Sequence, residues 1–149
     1  FYVTVIERVP SIVKKDEELL KQMIELIFKL MIDIDESIED EWMKPKEGFN
    51  DSGQEEEGED NVNFGKSCID KIISAVGEQK CLPLLSAIVD NTINNDSDWR
   101  YKNAALMAFS QVGEYIDEIS KIAPMVPIVV QHLKHQNPRI RYAALHCIG

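Results

Sequence analysis

Arg100-Tyr101-Lys102-Asn103-Ala104-Ala105-Leu106 and Arg139-Ile140-Arg141-Tyr142-Ala143-Ala144-Leu145 are two versions of one phrase, set 39 residues apart. A second echo lies upstream, where Ser74-Ala75-Val76-Gly77-Glu78 aligns with Ser110-Gln111-Val112-Gly113-Glu114 at an offset of 36. Self-similarity at about 40 residues is the period of two-helix HEAT and armadillo units. One helix hairpin cannot bury both of its apolar faces, so such units stack and share a continuous core. The paired alanines, Ala104-Ala105 and Ala143-Ala144, suit places where helices approach closely and a larger side chain would overpack. Gly77 and Gly113 suit the left-handed position that ends a helix, and Pro138 the first turn of the next one. The expected fold is therefore all-α, a HEAT-repeat α-solenoid of stacked antiparallel helix pairs.

Working outward, residues 16–33 place Leu19, Leu20, Met23, Ile24, Ile27, Leu30 and Met31 at three- and four-residue intervals. That is one wide apolar helical face, with Asp16, Glu17 and Glu18 at the positive end of the helix dipole. Similar patterns predict helices over 63–77, 80–94, 98–113, 118–135 and 138–148. Pro83, Pro124 and Pro127 suggest helix starts or kinks near them. The expected organisation is the end of a preceding repeat at 1–14, a repeat at 15–78 carrying an insertion at 34–62, a repeat at 79–115, and a truncated repeat at 116–149. The chain lacks an initiator Met and stops in mid-pattern at Ile148-Gly149, so it is expected to be cut from something longer.

The insertion carries the charge. Between Asp33 and Asp60 there are 13 acidic residues against Lys44 and Lys46, a net of −11, while the whole chain of 149 residues stands at −10. Pro45, Gly48, Gly53 and Gly58 mark this stretch as a long acidic inter-helix loop, and loops of that length are usually functional or disordered. A solvated linker and an electrostatic contact for a basic surface both fit the composition. Ile38, Trp42, Met43 and Phe49, interleaved with the acids, favour the contact, because a spacer has no need of an apolar anchor. Asp33, Asp35 and Ser37 fall at odd positions of an EF-hand loop. Ile38 stands where that loop needs Gly and Lys44 where it needs Glu, so calcium is rejected.

No feature points to catalysis, a metal or a cofactor. Cys68, Cys81 and Cys147 are scattered in apolar surroundings without C-x-x-C spacing and read as buried free thiols. His132 and His135 read as part of an exposed polar face, and His146 as a packed histidine. Arg139 and Arg141 are expected to pair with acids of the neighbouring repeat rather than to face a ligand. Scattered Lys and Arg in an acidic chain argue against direct nucleic-acid binding. The longest apolar stretch, Leu26–Ile34, is broken by Lys29 and Asp33 and falls short of the roughly 20 residues of a membrane span.

Several blocks taken together resemble the karyopherin-β (importin-β) family, and within it the importin beta-3 type of nuclear import receptor. They are the acidic stretch with Asp40-Glu41-Trp42, Gly77-Glu78, Leu82-Pro83-Leu84-Leu85, Asp98 through Phe109, and Asn137 through Ala144. The resemblance implies a superhelical carrier that binds cargo bearing basic localisation signals and is discharged by the GTP form of Ran, with nucleoporins as further partners. It implies shuttling between cytoplasm and nucleus. It also implies that an acidic loop inside a central repeat meets Ran or basic cargo. On that basis Asp35, Glu36, Glu39, Asp40, Glu41, Glu55, Glu56 and Glu57 are candidate electrostatic contacts, with Trp42 as the apolar anchor. Lys44 and Lys46 depart from the family pattern. The competing expectation is a HEAT scaffold subunit unrelated to transport.

Overall fold

A computed structural model describes residues 4, 8, 10–34, 60–95, 97–116, 120 and 123–149. Among these residues there are seven helices and no strand: α1 (Pro10–Lys15), α2 (Glu17–Ile32), α3 (Asp60–Val76), α4 (Glu78–Ile93), α5 (Trp99–Gly113), α6 (Val126–His132) and α7 (Pro138–His146). None is long and apolar enough to cross a membrane.

Each start has a local chemical cause. Asp16 separates α1 from α2 because its side chain accepts the Leu19 amide at 3.0 Å, closing the N-terminus of α2 just ahead of Glu17 and Glu18. Asp98 accepts from the Arg100 amide at 2.9 Å, and Asn137 accepts from the Arg139 amide at the same distance. The two caps lie 39 residues apart, so the period seen in the sequence reappears as the same capping hydrogen bond at the starts of α5 and α7. Gly77 alone joins α3 to α4, at φ +101° and ψ 146°, a backbone that side chains with a Cβ rarely adopt. Gly113 is different. It ends α5 without a positive φ, and the chain runs on through helical turns at Glu114 and Tyr115, so its expected left-handed role is corrected.

The helix expected over 118–135 is also revised. The described residues turn at 123–125, and α6 begins only at Val126, with Pro127 in its first turn. Pro124 and Pro127 each lack an N–H, so a helix is favoured to restart there, where the amide would have no partner anyway. Pro83, by contrast, sits inside α4.

Packing follows the hairpin logic. α2 lies against α3, α4 against α5 and α6 against α7, while α3, α5 and α7 contact one another in succession. In α2 the buried side chains are Leu20, Met23, Ile24, Ile27, Phe28 and Met31, one stripe at helical spacing, with Leu19 and Leu30 at its edges. α5 is the central helix, touching α2, α3, α4 and α7. Nearly its whole circumference is covered, including Lys102, Asn103 and Gln111. Ala104, Ala105, Ala143 and Ala144 are all completely buried where α5 meets its neighbours. Cys68 and Cys81 are buried free thiols; Cys147 is half-buried and donates to the Leu106 carbonyl at 3.1 Å, tying α7 to α5. His132 is buried, not exposed, with Nδ1 2.7 Å from the Ile128 carbonyl oxygen and its ring stacked on His135. His146 is exposed, and Lys66 Nζ lies 3.3 Å from its Nε2.

Candidate protein-binding site

The acidic stretch is strung between α2 and α3, and the two ends from which it springs are held tightly. After α2, the Asp33 amide donates to Leu30 O at 3.1 Å and the Ile34 amide to Ile32 O at 2.8 Å. That turn directs Ile34 into the core, where it is 3% exposed. On the return, Asn61 Nδ2 donates to the Asp33 carbonyl at 2.9 Å, and Val62 is buried one residue later. Two apolar plugs joined by one amide thus close the base. Fixing the ends of an insertion confines its closure entropy to the insertion, so the helix pair tolerates its length.

A third support comes from α5. Asp98 both caps that helix and accepts from Arg100, whose Nε lies 3.0 Å from each carboxylate oxygen and whose Nη2 lies 2.7 Å from Oδ2. The side-chain hydrogen bond from Arg100 holds the Asp98 carboxyl below the usual carboxylate range, against a smaller opposing effect of burial. Held in this way, Arg100 directs Nη1 to the Ile34 carbonyl at 3.5 Å, the last described residue before the acidic stretch. Trp99 meets the following helix pair, with the guanidinium carbon of buried Arg139 5.7 Å from its ring centroid. Arg141 donates Nη1 to the carbonyls of His135 and Gln136, both at 2.8 Å, bracing the turn before α7. Both arginines are engaged in scaffold contacts, and the partners described are a ring and two carbonyls.

The candidate contact residues Asp35, Glu36, Glu39, Asp40, Glu41, Trp42, Glu55, Glu56 and Glu57 lie outside the described residues. Three features were missed in the sequence. Asn61 reads there as an ordinary polar residue, and only the fold brings it to Asp33. Gly65 sits in α3 against Met31 and Ile27, and a Cβ built on it would meet Met31 Sδ at 2.8 Å and Met31 Cγ closer still. A lone glycine inside an apolar helical pattern was the available signal. Finally, Leu26 and Phe64 stay exposed beside a groove bounded by α2, α3 and the start of α5.

Comparison with known proteins accords with this architecture. The family model described as Importin repeat matches residues 1–83, more than half the chain, and a HEAT repeat model matches residues 125–149. The chain belongs to the importin-repeat family, within the karyopherin-β class of HEAT scaffolds. Solved structures of the karyopherin Kap121p share the fold. Kap121p bound to Pho4p superposes with a TM-score of 0.81 at 17% identity. Kap121p bound to RanGTP gives 0.79 at 18%, and Kap121p bound to Nup53p 0.80 at 19%. Each match covers 98% of this chain and 14% of the Kap121p chain, so the sequence spans about one seventh of those proteins.

Proposed function

We propose that this chain is a segment of a nuclear import receptor of the importin beta-3 type, a non-enzymatic carrier that shuttles between cytoplasm and nucleus. Its helical scaffold holds cargo with basic localisation signals, Ran-GTP, or both. The acidic stretch supplies contacts through Asp35, Glu36, Glu39, Asp40, Glu41 and Glu55–Glu57, and Trp42 anchors them. One observation carries the reading: inside the importin-repeat match, an insertion with 12 acidic residues springs from a base closed by Asn61 and braced by Arg100. Kap121p, a structural neighbour, is solved bound to Pho4p, RanGTP and Nup53p, which supports protein cargo, Ran and nucleoporins as partner classes.

The repeats are proposed to divide at 15–78, 79–115 and 116–149, after the end of a preceding unit at 1–14. The hairpin contacts of α2 with α3, α4 with α5 and α6 with α7 support that division. Ala104, Ala105, Ala143 and Ala144 are its close-packing residues, and Gly77 joins the helices at one boundary.

Opposite charge accelerates encounter and selects partners more than it sets final affinity. Replacing Asp35, Glu36, Glu39, Asp40 and Glu41 by their amides should therefore slow association with Ran-GTP or a Lys-rich cargo peptide, leave dissociation nearly unchanged, and flatten the salt dependence. Stopped-flow association at low and high salt reads this directly. On-rates equal to wild type at low salt would reduce the stretch to a solubility device.

A further inference from the structure

One side-chain contact joins helices that belong to non-adjacent pairs. Lys66 on α3 and His146 at the end of α7 lie 80 residues apart in sequence, yet Lys66 Nζ stands 3.3 Å from His146 Nε2. α5 lies between the two helices and touches both. Stacked repeats ordinarily contact only their neighbours, so a bond from the first pair to the third is an extra tie across the row of α3, α5 and α7. An ammonium has donors and no acceptor, so His146 must accept through Nε2 and carry its own proton on Nδ1. Among the described residues neither side chain forms an ion pair with a carboxylate. Tyr142, one turn before His146, sets its ring edge-on to the imidazole at 6.2 Å. Asp70, one turn beyond Lys66, is held by the Tyr115 hydroxyl at 3.1 Å, and Glu114, past the end of α5, is exposed and pairs with neither. His132, Lys134, His135, Arg139 and Arg141 stand where α7 begins, not where it ends. Burial raises the Cys147 thiol and the Lys66 charge opposes that rise, so the ammonium is felt at the residue after His146.

We infer that Lys66 and His146 form a latch across α5, closed while His146 is neutral and open when it is protonated, which fixes how the third helix pair sits on the two before it. An imidazolium carries a proton on both ring nitrogens, so Nε2 can no longer accept and instead meets the ammonium as a like charge. Histidine is the side chain whose ordinary titration spans roughly pH 5 to 8. The closed arrangement is therefore favoured above that transition and lost as pH falls through it. A hydrogen bond at 3.3 Å is also close to the limit of its range, so a small shift of either helix breaks it. Solvent reaches the pair, and its contribution to global stability is correspondingly small. What it controls is the local docking of the end of α7, where α5 is the neighbour through Cys147 and the Leu106 carbonyl.

The test is amide hydrogen exchange on the full chain at about pH 7.5 and about pH 5.5, on either side of the ordinary histidine midpoint. It is read at the last turn of α7, where the Cys147 amide donates to the Ala143 carbonyl at 3.2 Å, as protection corrected for the intrinsic pH dependence of exchange. Wild type should lose protection about twofold to fivefold at the lower pH, the scale of one exposed hydrogen bond. Lys66→Met keeps the aliphatic stem and removes the donor, so it should show the lowered protection already at the higher pH. His146→Gln places an amide oxygen near the position of Nε2, an acceptor that does not titrate, and should keep the higher protection at both pH values. Neither substitution opens a core cavity, and far-ultraviolet circular dichroism at both pH values checks that the helices persist. A contact that only fills space would lower protection in both variants and give no pH response in wild type. No fall in wild type, a fall of equal size in wild type and His146→Gln, or wild-type protection in Lys66→Met at the higher pH would each overturn the inference.

Discussion

Three glycines in this chain occupy three physically different environments, so replacing each by alanine should move stability in distinguishable ways. In a helix interior Gly→Ala is worth up to about 1 kcal/mol in favour of the folded state. At Gly65 that gain meets a steric cost, because the new Cβ would lie within 3 Å of Met31 Sδ and closer to Cγ, and Met31 is completely buried. Overpacking of this kind costs roughly 1–3 kcal/mol, and the thioether's flexibility favours the lower half of that range. Gly65→Ala should therefore be net destabilising by about 1 kcal/mol, or about 2–4 °C in thermal midpoint for a chain of this size. Gly113 ends α5 with no positive φ and has open space where a Cβ would stand, so Gly113→Ala should be neutral or stabilising. Gly77 also has open space but sits at φ +101°, so Gly77→Ala should cost about 1–2 kcal/mol through the backbone alone. Thermal and urea unfolding followed by circular dichroism would rank them. The decisive control is a double-mutant cycle: with Met31→Ala already in place, Gly65→Ala should turn stabilising as the helix-propensity gain is released. A Gly65→Ala midpoint that rises as that of Gly113→Ala does, in the presence of Met31, would refute the close approach of α2 and α3.

Other perturbations probe the remaining joints. Ala104→Leu and Ala143→Leu, each placing a large side chain at a completely buried position, should cost on the order of 1–3 kcal/mol by urea unfolding, and unchanged midpoints for both would count against close helix packing. Asp98→Asn keeps a capping oxygen but removes the charge paired with Arg100. Because the folded-state pKa of Asp98 is depressed, its stabilisation is present above the unfolded value and lost as pH falls through the folded one. The stability gap between wild type and Asp98→Asn should accordingly be constant from about pH 5 to 8 and close below about pH 4; a gap independent of pH would exclude the ion pair. Burial pushes the Cys81 thiol up to about 11 and the Cys147 thiol up to about 12, and raises Cys68 as well. A thiol-disulfide dye at neutral pH should thus label the native chain slowly and all three cysteines at once in denaturant, whereas rapid native labelling would contradict their burial.

How much of this was legible in the residues depended on whether the cause was local. The apolar stripe of α2 is written at helical spacing and Asp16 stands at its N-terminal end, so both were read directly, whereas Asp98 and Asn137 were read only as part of breaks and not as the caps they form. The start of α6 was misplaced because the apolar pattern continues across Pro124 and Pro127, and periodicity outweighed the two missing amides. His132 was misjudged because Gln131 and Lys134 made its neighbourhood look polar, whereas at helical spacing it falls on the side of Val129, which is buried. Lys102, Asn103 and Gln111 are buried because α5 has neighbours nearly all round, which no local pattern records. For the candidate site, charge and the embedded Trp42 located the acidic stretch. Nothing local announced its base: the partners of Asn61 and Arg100 lie 28 and 66 residues away in sequence.

Those long-range bonds connect the insertion to the solenoid. Arg100 reaches back to Ile34, its neighbour Trp99 reaches forward to Arg139, and Asp98 fixes both by capping the helix they share. One turn of α5 thus touches the base of the acidic stretch on one side and the cap of α7 on the other. In stacked repeats each unit mainly feels its nearest neighbours, so a shift at one junction is passed on only where a rigid element spans two of them. α5 meets that condition, since its buried alanines leave no slack to absorb a displacement. Movement of Ile34 on partner binding would have to be accommodated by breaking the 3.5 Å contact with Arg100 or by carrying the start of α5 along with it. The first outcome isolates the acidic stretch from the scaffold, and the second couples it to the next helix pair. Because Asp98 holds Arg100 through three bonds of 2.7–3.0 Å, while Ile34 holds it through one at 3.5 Å, the weaker link is the one that yields first. If the acidic stretch meets a partner as proposed, a displacement at Ile34 is therefore expected to stop at this contact rather than pass into α5.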